Sequence, residues 1–592
     1  MAFSEIARLM ETMTRIPFSI AIASTRDRLV YHSTEGGTLT LWSVDPATGS
    51  KVRITPGPVE QFADPKHDSN LVHYTKDVAK GGELHKVYAA DVIDGKETLT
   101  VDPPPMRIEG LASDGKLVAF TGSTKDEMAL YTAESLSPEK RRTVPPTATL
   151  TGATKKHLVG WGNLSKNPRS SELFIFDLST GKYSEYTPKE GSTNKVPRLW
   201  GGKLLFESDY TGKNRLHVYD TESGQTSAAP ITFDDYVSYD ATEHPNFGWS
   251  DNGKVWFVGK KDGEAKAFLD GKGIPTPAGI LYGMALLKDK AYFIHSSVIQ
   301  PTRLVEADPK TGKSKTLVDN PPPADIIQRL GKGRLVRFKS FDDYGITALV
   351  VDHGSPRRTV VLVHGGPWSE YPNTWGPIIC SIAVSGYNVI APNFRGSTGY
   401  GEEFRKLDIG DPGGGDLQDI VSTVQWSKKN NLATEVAIMG YSYGGYMTLM
   451  ALGKEPELFS CGVAGAPVAD WKEMHETSDA LYRGFIEELF DNKLELLSDR
   501  SPITYVEHVR RPVCIIASQN DSRTPIKPVL RYATELAKQS KAFELHSMPD
   551  TGHATGSAQE LMDIIFPAVT FLQRQFPPDI SRTASLTAKQ LE

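Results

Sequence analysis

The first half of the chain, from about residue 20 to residue 320, consists of short apolar runs that end in turn residues, with almost no helical periodicity. One unit recurs there: an apolar strand, an acidic residue, and a turn containing Gly or Ser, as in LWSVDPATG, FIFDLSTG and VEADPKTG. An acidic side chain that accepts backbone N–H groups ahead of a Gly is typical of a turn between two strands. The acidic positions are Asp45, Asp91, Glu134, Asp177, Asp220, Asp270 and Asp308, at successive spacings of 46, 43, 43, 43, 50 and 38 residues. A repeat of about 40–45 residues matches one blade of a β-propeller, so the seven repeats predict seven blades.

The pattern changes after the Pro-rich and then basic segment at 320–335. Continuous apolar runs such as TVVLVHGG, VAIMGYS and PVCIIASQ then alternate with longer helical patterns such as DLQDIVSTVQWSKKN. This alternation predicts a mainly parallel sheet that is covered by helices on both faces. Ligand sites in such sheets lie at the carboxyl ends of the strands.

These patterns divide the chain into four segments. Residues 19–322 are expected to form the propeller, and residues 323–577 the α/β domain. Residues 1–18 predict a short amphipathic helix, because the apolar residues there fall at helical spacing; they are Ile6, Leu9, Met10, Met13 and Ile16. The polar residues 578–592 predict a disordered tail.

The stretch GYSYG at 440–444 is a candidate nucleophile site, because it fits the pattern G-x-S-x-G between an apolar strand and a helical pattern. In a nucleophile elbow the serine lies in a strained strand-to-helix turn, and small neighbours leave room for that geometry. Glycines alone would equally fit an ordinary tight turn. The assignment of Ser442 as a nucleophile therefore depends on finding its catalytic partners.

A serine hydroxyl needs an adjacent base, and in this architecture the chain order is Ser, then Asp or Glu, then His, each after a later strand. Asp521 follows the run PVCIIASQ, and His553 follows FELHSMP. Asp550 and His546 compete for these roles. Asp550, however, matches turn chemistry ahead of a Gly, and His546 alternates within its strand. We therefore predict that Ser442, Asp521 and His553 form a catalytic triad.

An acyl-transfer enzyme also needs hydrogen-bond donors for the oxyanion. One should be the backbone N–H of Tyr443, which follows the nucleophile, and the second should come from the loop after an earlier strand. The sequence HGGP at 364–367 is such a loop, and its glycines allow close approach of the backbone. We predict the N–H of Gly366 as the second donor.

Composition excludes several classes of function. The net charge is −6 with both signs well mixed, so the basic stripe of a nucleic-acid-binding protein is missing. No stretch approaches the roughly 18 apolar residues of a membrane span, and the N-terminus lacks the apolar region of a secretory signal. Cys380, Cys461 and Cys514 are widely spaced beside apolar segments, which predicts buried free thiols and a cytoplasmic location.

The Gly-rich stretch at 410–416 and Arg523 are two further features with the chemistry of a ligand site. The Gly-rich stretch GDPGGGD at 410–416 lacks the Gly-Lys-Ser/Thr ending of a phosphate-binding loop and is expected to be an ordinary flexible loop before a helix. No His or Cys cluster has metal-ligand spacing. We therefore expect no cofactor and no metal. Arg523, two residues after Asp521, is either a solvated surface arginine or a donor to a substrate carbonyl or carboxylate.

The motifs HGGP, NFRGSTGYGEEF, GYSYGGYM, QNDSRTP and DTGHA together resemble the prolyl oligopeptidase family of serine peptidases, and within it the acylaminoacyl peptidases. The resemblance covers nearly the whole second half of the chain and is looser in the first. It implies an α/β-hydrolase domain that is covered by the propeller, with the N-terminal helix packed on the hydrolase domain. It also implies removal of N-acylated amino acids from short blocked peptides, usually with esterase activity, and exclusion of long or folded chains.

The resemblance also assigns residues. Ser442, Asp521 and His553 match the family's triad, and Tyr443 and Gly366 match its oxyanion hole. Arg523 matches a substrate-binding arginine, and Glu83 matches a propeller acid that can pair with it. Four residues match positions that line an apolar side-chain pocket; they are Val468, Trp471, Phe485 and Ile486.

Three alternatives to an acylaminoacyl peptidase stay open. The first is an esterase or amidase that acts on a small non-peptide acyl compound. The second is a dipeptidyl peptidase, which would need acidic residues in the propeller to hold a free α-amine. The third is a propeller-based binding protein with an inert hydrolase remnant, although an intact triad argues against it. The expected partners are short acylated peptides or small acyl compounds, not nucleic acid or membrane, and a homo-oligomer is possible.

Overall fold

The computed structural model describes residues 3–65, 69–231 and 246–579. The tail that the sequence predicts to be disordered therefore lies outside the described residues from residue 580 onward. The chain begins with helix α1 (Phe3–Arg15) and continues into seven small antiparallel sheets, each built from consecutive strands.

The first four sheets are the blades that span residues 19–186. Their strands are β1 Ser19–Ser24, β2 Leu29–Ser33, β3 Thr40–Val44, β4 Lys51–Arg53, β5 Leu71–Asp77, β6 His85–Asp91, β7 Glu97–Val101, β8 Arg107–Ser113, β9 Val118–Ser123, β10 Met128–Ala133, β11 Glu139–Val144, β12 Thr149–Ala153, β13 His157–Gly162, β14 Glu172–Asp177 and β15 Tyr183–Tyr186.

The remaining three sheets complete a ring of seven blades. Their strands are β16 Asn194–Trp200, β17 Lys203–Ser208, β18 Arg215–Asp220, β19 Thr226–Ala228, β20 Phe247–Trp249, β21 Val255–Lys261, β22 Glu264–Leu269, β23 Lys272–Ile274, β24 Ile280–Leu287, β25 Lys290–Ser297, β26 Gln300–Ala307 and β27 Ser314–Val318. The prediction of seven blades is confirmed.

The repeated acidic residue lies at an equivalent place in every blade, as the last residue of the next-to-last strand or directly after it. In Asp45, Asp177 and Asp308, for example, the carboxylate accepts the backbone N–H of the residue two positions on, and the backbone carbonyl accepts that of the following Gly. The second blade departs from the pattern, since its sheet has three strands and its innermost strand is reduced to the single bridge Phe62↔Tyr74.

The ring closes by side-chain packing between the first and last blades. Each of these two sheets is built from its own four consecutive strands, so no strand is exchanged between them. Ile22 and Tyr31 of the first blade pack in one apolar cluster with Ala285, Tyr292 and Ile294 of the last. The innermost strands surround a central cavity of about 1830 Å³, which Arg523 of the second domain also lines.

The second domain is an α/β domain. Its elements are α2 Ala324–Leu330, β28 Lys332–Lys339, β29 Gly345–Asp352, β30 Arg357–Val363, α3 Pro377–Val384, β31 Asn388–Asn393, α4 Glu402–Arg405, α5 Gly415–Lys429, β32 Ala433–Tyr441, α6 Tyr443–Lys454, β33 Gly462–Gly465, α7 Trp471–Thr477, α8 Ala480–Leu489, β34 Val513–Ser518, α9 Ile526–Lys538, β35 Phe543–Met548 and α10 Ala558–Gln575. Short 3₁₀ turns cover Lys406–Asp408, Leu494–Leu496 and Pro502–His508.

The eight strands of this domain form one sheet in the order β28-β29-β31-β30-β32-β33-β34-β35. Strands β28 and β29 pair antiparallel, β29 pairs antiparallel with β31, and the other pairs are parallel. One apolar cluster packs α3 and α10 on one face, and another packs α5, α6 and α9 on the other. The predicted mainly parallel, doubly covered sheet is confirmed.

Helix α1 packs on the second domain and not on the propeller that follows it. Its residues Ile6, Leu9, Met10 and Met13 are buried in the cluster that also contains α3 and α10. Cys380, Cys461 and Cys514 are buried and free, as predicted. None of the helices in the described ranges is both long and apolar enough to cross a membrane.

Candidate active site

Ser442 occupies a strained turn between β32 and α6. Its backbone lies at φ 59° and ψ −120°, a region that residues other than Gly rarely adopt. The flanking glycines are needed for packing, since a Cβ on Gly440 would lie 2.3 Å from the carbonyl carbon of Gly444. A Cβ on Gly444 would lie 2.0 Å from the carbonyl oxygen of Val363. This is the geometry of a nucleophile elbow, which lifts the serine hydroxyl above the carboxyl edge of the sheet.

His553 and Asp521 lie beside this serine, although both are far from it in sequence. The Nε2 atom of His553 is 2.9 Å from Ser442 Oγ, and its Nδ1 atom is 2.7 Å from Asp521 Oδ2. The carboxylate of Asp521 also accepts the backbone N–H groups of Arg523 and Thr524 and the Thr524 hydroxyl. The structure thus brings the three predicted residues into one hydrogen-bonded chain, with the histidine between the hydroxyl and the carboxylate.

The HGGP loop follows β30 and lies against the serine. A Cβ on Gly365 would be 3.3 Å from Ser442 Cβ, which is a tight contact, so glycine favours this close approach of the loop. The backbone N–H groups of Gly366 and Tyr443 donate to no acceptor among the described residues. Both groups are therefore available to an oxygen that develops charge beside Ser442.

A buried acidic pair lies behind Tyr443, and sequence analysis missed it. The Tyr443 hydroxyl donates to Asp416 Oδ2 at 2.6 Å, and the Trp368 indole donates to Asp408 Oδ1 at 3.1 Å. Burial raises the pKa of Asp416 to about 6 and, together with the neighbouring Asp416, raises the pKa of Asp408 to about 8. The stretch at 410–416 was expected to be an ordinary flexible loop, yet it holds the side chain of the residue that follows the nucleophile.

The four residues matched to an apolar pocket belong to the core cluster on this face of the sheet. Val468, Trp471 and Ile486 are almost fully buried, at 5%, 1% and 0% exposure. Phe485 is the member that stays partly exposed, and its ring lies 5.5 Å from that of Trp368.

Arg523 pairs with the propeller. Its Nε and Nη2 atoms both donate to Glu83 Oε1, with a distance of 2.8 Å for Nε, while Nη1 donates to no described residue. Burial alone would raise the pKa of Glu83, but Arg523 and Arg107 hold it well below its usual range. The side chain of Arg523 remains 37% exposed and borders the central cavity, so it can still meet a ligand.

Arg107 of β8 is a second arginine that sequence analysis did not single out. It pairs with Glu83, donates to Asp479 Oδ2 at 2.8 Å and donates to Ser522 Oγ at 3.1 Å. Its guanidinium also lies 4.8 Å from the centre of the Tyr482 ring. Glu83 is thus shared by two arginines, one from each domain. Only the contact between domains, which the local pattern cannot reveal, would have identified Arg107.

The residues that competed for triad roles lie elsewhere. Asp550 pairs with Lys80 of the propeller at 3.2 Å, and His546 lies on β35, 3.5 Å from Glu544. Glu544, His546 and Cys514 have possible metal-ligand atoms within 4.8 Å of one another, the one such group in the described ranges. The Glu544 carboxylate is already engaged by Arg574 at 2.6 and 2.7 Å, so we assign no metal there.

Comparisons with known proteins fit this architecture. Residues 30–305 match the family described as acylamino-acid-releasing enzyme-like, N-terminal domain, and residues 378–578 match the prolyl oligopeptidase family. Dipeptidyl aminopeptidase BIII of Pseudoxanthomonas mexicana is 27% identical over 92% of this chain and 78% of its own length. The acylamino-acid-releasing enzyme of Mus musculus is 31% identical, but the alignment covers 36% of this chain and 31% of that enzyme.

The solved structures extend the likeness to the whole fold. Acylaminoacyl peptidase of Pyrococcus horikoshii aligns over 96% of this chain and 97% of its own, with a TM-score of 0.72 and 18% identity. A sequence identity of 18% supports a common fold only. The two family matches, in contrast, are matches of sequence, and together they cover most of both domains. The chain is therefore a serine hydrolase that belongs to the prolyl oligopeptidase family of serine peptidases.

Proposed function

We propose that this protein is a serine exopeptidase that releases N-acylated amino acids from short blocked peptides through an acyl-enzyme, with esterase activity on simple esters. The observation that carries the proposal is the chain of hydrogen bonds from Ser442 through His553 to Asp521, at 2.9 and 2.7 Å, beneath the propeller. The names of the acylamino-acid-releasing relatives support the substrate class.

The mechanism has two steps. His553 takes the proton of Ser442 as Oγ attacks the carbonyl carbon, and Asp521 orients the ring and stabilises the imidazolium. The N–H groups of Tyr443 and Gly366 bind the oxyanion; losing one such donor typically costs about 3–4 kcal/mol of transition-state stabilisation. His553 then protonates the leaving amine. In the second step the same histidine activates water, which releases the acylated amino acid and restores the serine.

Arg523 and the apolar residues beside the site position the substrate. The Nη1 atom of Arg523, which donates to no residue in the described ranges, can donate to the carbonyl of the acyl group, while Glu83 holds the rest of the guanidinium in place. Phe485, with Val468, Trp471 and Ile486 behind it, offers an apolar surface for the side chain of the acylated residue. The propeller covers this site, which favours short substrates.

Two alternative classes of substrate would be hydrolysed by the same triad and oxyanion donors. The 27% identical relative is a dipeptidyl aminopeptidase, and it supports release of dipeptides as the alternative. An esterase or amidase that acts on a small non-peptide compound is the other. A non-catalytic propeller protein is the weakest alternative, because serine, histidine, acid and free oxyanion donors are all present together.

The test compares kcat/KM for an acetyl-amino-acid anilide, a free-amine dipeptide anilide and a simple aryl ester. We expect the acetylated anilide to be cleaved well and the ester to be hydrolysed too. Ester turnover with neither anilide cleaved would favour the esterase, and cleavage of the free-amine anilide alone would replace the proposal with the dipeptidyl peptidase.

The variant Ser442→Ala is compared with the wild type on all three substrates. It should abolish turnover, because no other hydroxyl is in contact with His553 Nε2 among the described residues. Its thermal unfolding should match that of the wild type, since Ala keeps the strained backbone and removes only the hydroxyl. Surviving activity would show that the nucleophile is misassigned.

A further inference from the structure

One arginine on the wall of the central cavity has no part in the site described above. Arg198 lies on β16, the innermost strand of the fifth blade, and borders the same cavity as Arg523. Strand β16 begins next to the second domain, where Lys195 pairs with Glu402, and it ends at the exposed Trp200. Arg198 therefore lies part of the way along the cavity, farther from the second domain than Lys195.

The guanidinium group of Arg198 extends into the cavity. Its Nη1 atom donates to Asp64 Oδ2 at 3.3 Å and to the backbone carbonyl of Thr151 at 3.1 Å. Asp64 follows Phe62, the inner bridge of the second blade, and Thr151 lies on the innermost strand of the fourth. The second and fifth blades are three apart, which is the largest separation in a ring of seven. The charge of Arg198 is thus presented to the interior of the cavity.

Arg198 is only partly paired. Its Nε and Nη2 atoms donate to no residue in the described ranges. The contact with Asp64 is long and that acid is about half exposed, so water weakens the pair. Burial lowers the pKa of Arg198, and Asp64 does not offset the effect. At Arg107, in contrast, Glu83 and other neighbours outweigh burial and raise the pKa above its usual range.

The free donors of Arg198 suit a carboxylate. A guanidinium group binds a carboxylate through two parallel N–H···O bonds, whose geometry the planar fork of donors matches. Among the described residues that border the cavity, nine are Lys or Arg and seven are Asp or Glu, so the cavity as a whole also attracts negative charge. A peptide that lies in the cavity carries a carboxylate at its C-terminus. Arg198 has the chemistry to bind that end of a substrate.

The position of Arg198 limits the length of peptide that reaches it. Arg198 lies three residues after Lys195, and a strand rises about 3.3 Å per residue, so the two are at most about 10 Å apart along the strand. An extended peptide covers such a distance in about three residues. Peptides with a few residues beyond the scissile bond are therefore the ones whose carboxylate can meet Arg198 while Ser442 attacks the acylated residue.

We propose that Arg198 binds the C-terminal carboxylate of the leaving part of a short peptide, and so favours peptides of one length with a free C-terminus. The proposal rests on the proposed function, because it uses peptide cleavage at Ser442. The carboxylate takes the place of Asp64 on Nη1 and also accepts from Nη2. The chemistry at Ser442 is unchanged, so Arg198 determines specificity and is not a catalytic residue.

The test uses N-acetylated alanine peptides of two to six residues, each as the free acid and as the C-terminal amide. At one length, wild-type kcat/KM should be higher for the acid by about 10–100-fold, because hydrogen bonds to a charged group are gained. Arg198→Met should remove this preference and leave the amides within about twofold. The control is Lys254→Met, which removes another cation from the cavity wall and should keep the preference.

Three outcomes would overturn the role of Arg198 and leave the proposed function standing. The first is equal cleavage of acetylated acids and amides at every length. The second is a preference for acids that is the same at all lengths and persists in Arg198→Met, since that is a general attraction of anions to the cavity. The third is an equal loss on acids and amides in Arg198→Met, which assigns the residue a structural role. Because retained cleavage of the amides shows that the variant is folded, a misfolded protein cannot imitate the expected result.

The same peptides without the acetyl group separate this proposal from the proposed function. If only the free-amine peptides are cleaved, with a preference for the acid at one length that Arg198→Met removes, the role of Arg198 is supported and the proposed function is overturned. If the aryl ester is hydrolysed and no peptide of either series is cleaved, both proposals are overturned.

Discussion

At the scale of single residues, Asp408 is a carboxyl group whose surroundings disfavour its charged form. It is fully buried behind the nucleophile turn; Oδ1 accepts from Trp368, and Oδ2 has no partner among the described residues. Burial and the nearby Asp416 raise its pKa to about 8, well above the roughly 3.9 of an unfolded chain. The folded protein therefore holds this proton more tightly than the unfolded chain. The stabilisation is complete below about pH 4 and is lost as the pH rises toward 8.

Asp408→Asn should remove this pH dependence. Asparagine keeps an oxygen for the Trp368 indole and cannot ionise, so the variant should gain stability over the wild type as the pH rises from 5 to 9. One pKa unit is worth about 1.4 kcal/mol, so the relative change should amount to a few kcal/mol over that range. The measurement is the midpoint of thermal unfolding at each pH.

The control for this measurement is Asp343→Asn, in the same domain. Its side chain is 84% exposed and should shift the midpoint little at any pH. If the midpoints of Asp408→Asn and the wild type ran parallel from pH 5 to pH 9, the buried carboxyl would not be protonated in the folded state.

How far residues could be predicted from sequence depended on whether their role is local. Ser442, Asp521 and His553 were identified because each residue type follows a recognisable strand, and parallel strands end at one edge of the sheet. Arg107 was missed because its role depends on which face of a propeller strand meets the second domain. Such contacts between distant segments leave no periodic pattern in the sequence.

At the scale of elements, the loop between β5 and β6 in the second blade touches both catalytic loops. A Cβ on Gly81, at φ 94°, would lie 2.0 Å from the backbone nitrogen of Gly552, next to His553. The side chain of Asn520, next to Asp521, donates to the backbone carbonyl of Lys80 at 2.9 Å. One propeller turn therefore supports the loops that carry the histidine and the acid.

Gly81→Ala should lower kcat without removing any catalytic group. The added methyl must push the loop that carries His553, and a displacement of about 1 Å at such a site costs about 100-fold in rate. The matched control is Gly212→Ala, at φ 86°, where a Cβ meets nothing within 4 Å. Both variants incur a backbone cost of about 1–2 kcal/mol, but only Gly81→Ala should lose activity. If the two variants had equal kcat values, the propeller loop would not be needed to position the loop that carries His553.

The elements themselves were predictable to different degrees. The seven turns were recognised because an acid and a Gly at fixed spacing act within a few residues, so each blade repeats the same local chemistry. The reduced innermost strand of the second blade was not predictable. Its pairing is limited to Phe62↔Tyr74, and the partners available to an inner strand are set by the neighbouring blades and by the domain below.

At the scale of the whole molecule, buried ion pairs join the propeller to the second domain. Lys195 of the fifth blade pairs with Glu402 at 2.6 Å, and Glu402 also accepts from Arg405 at 2.7 Å. Burial alone would raise the pKa of Glu402, but Arg405 and Lys195 hold it well below its usual range. Lys260 and Glu370 form another pair across the interface, at 3.0 Å. Since the propeller closes without strand exchange, these contacts also help to hold the ring over the active site.

Lys195→Met should weaken that attachment. It leaves Glu402 buried with one cation in place of two, which we expect to cost about 2–4 kcal/mol, somewhat less than the loss of a buried pair's only partner. The midpoint of thermal unfolding should fall by several degrees, and a looser cover should raise turnover of a long acetylated peptide relative to an acetyl-amino-acid anilide. The control is Lys254→Met, whose pair with Asp270 is 48% exposed on both sides and is worth about 0–1 kcal/mol. If Lys195→Met lowered the midpoint but left the ratio of long to short substrates unchanged, this contact would hold the domains together without restricting access to Ser442.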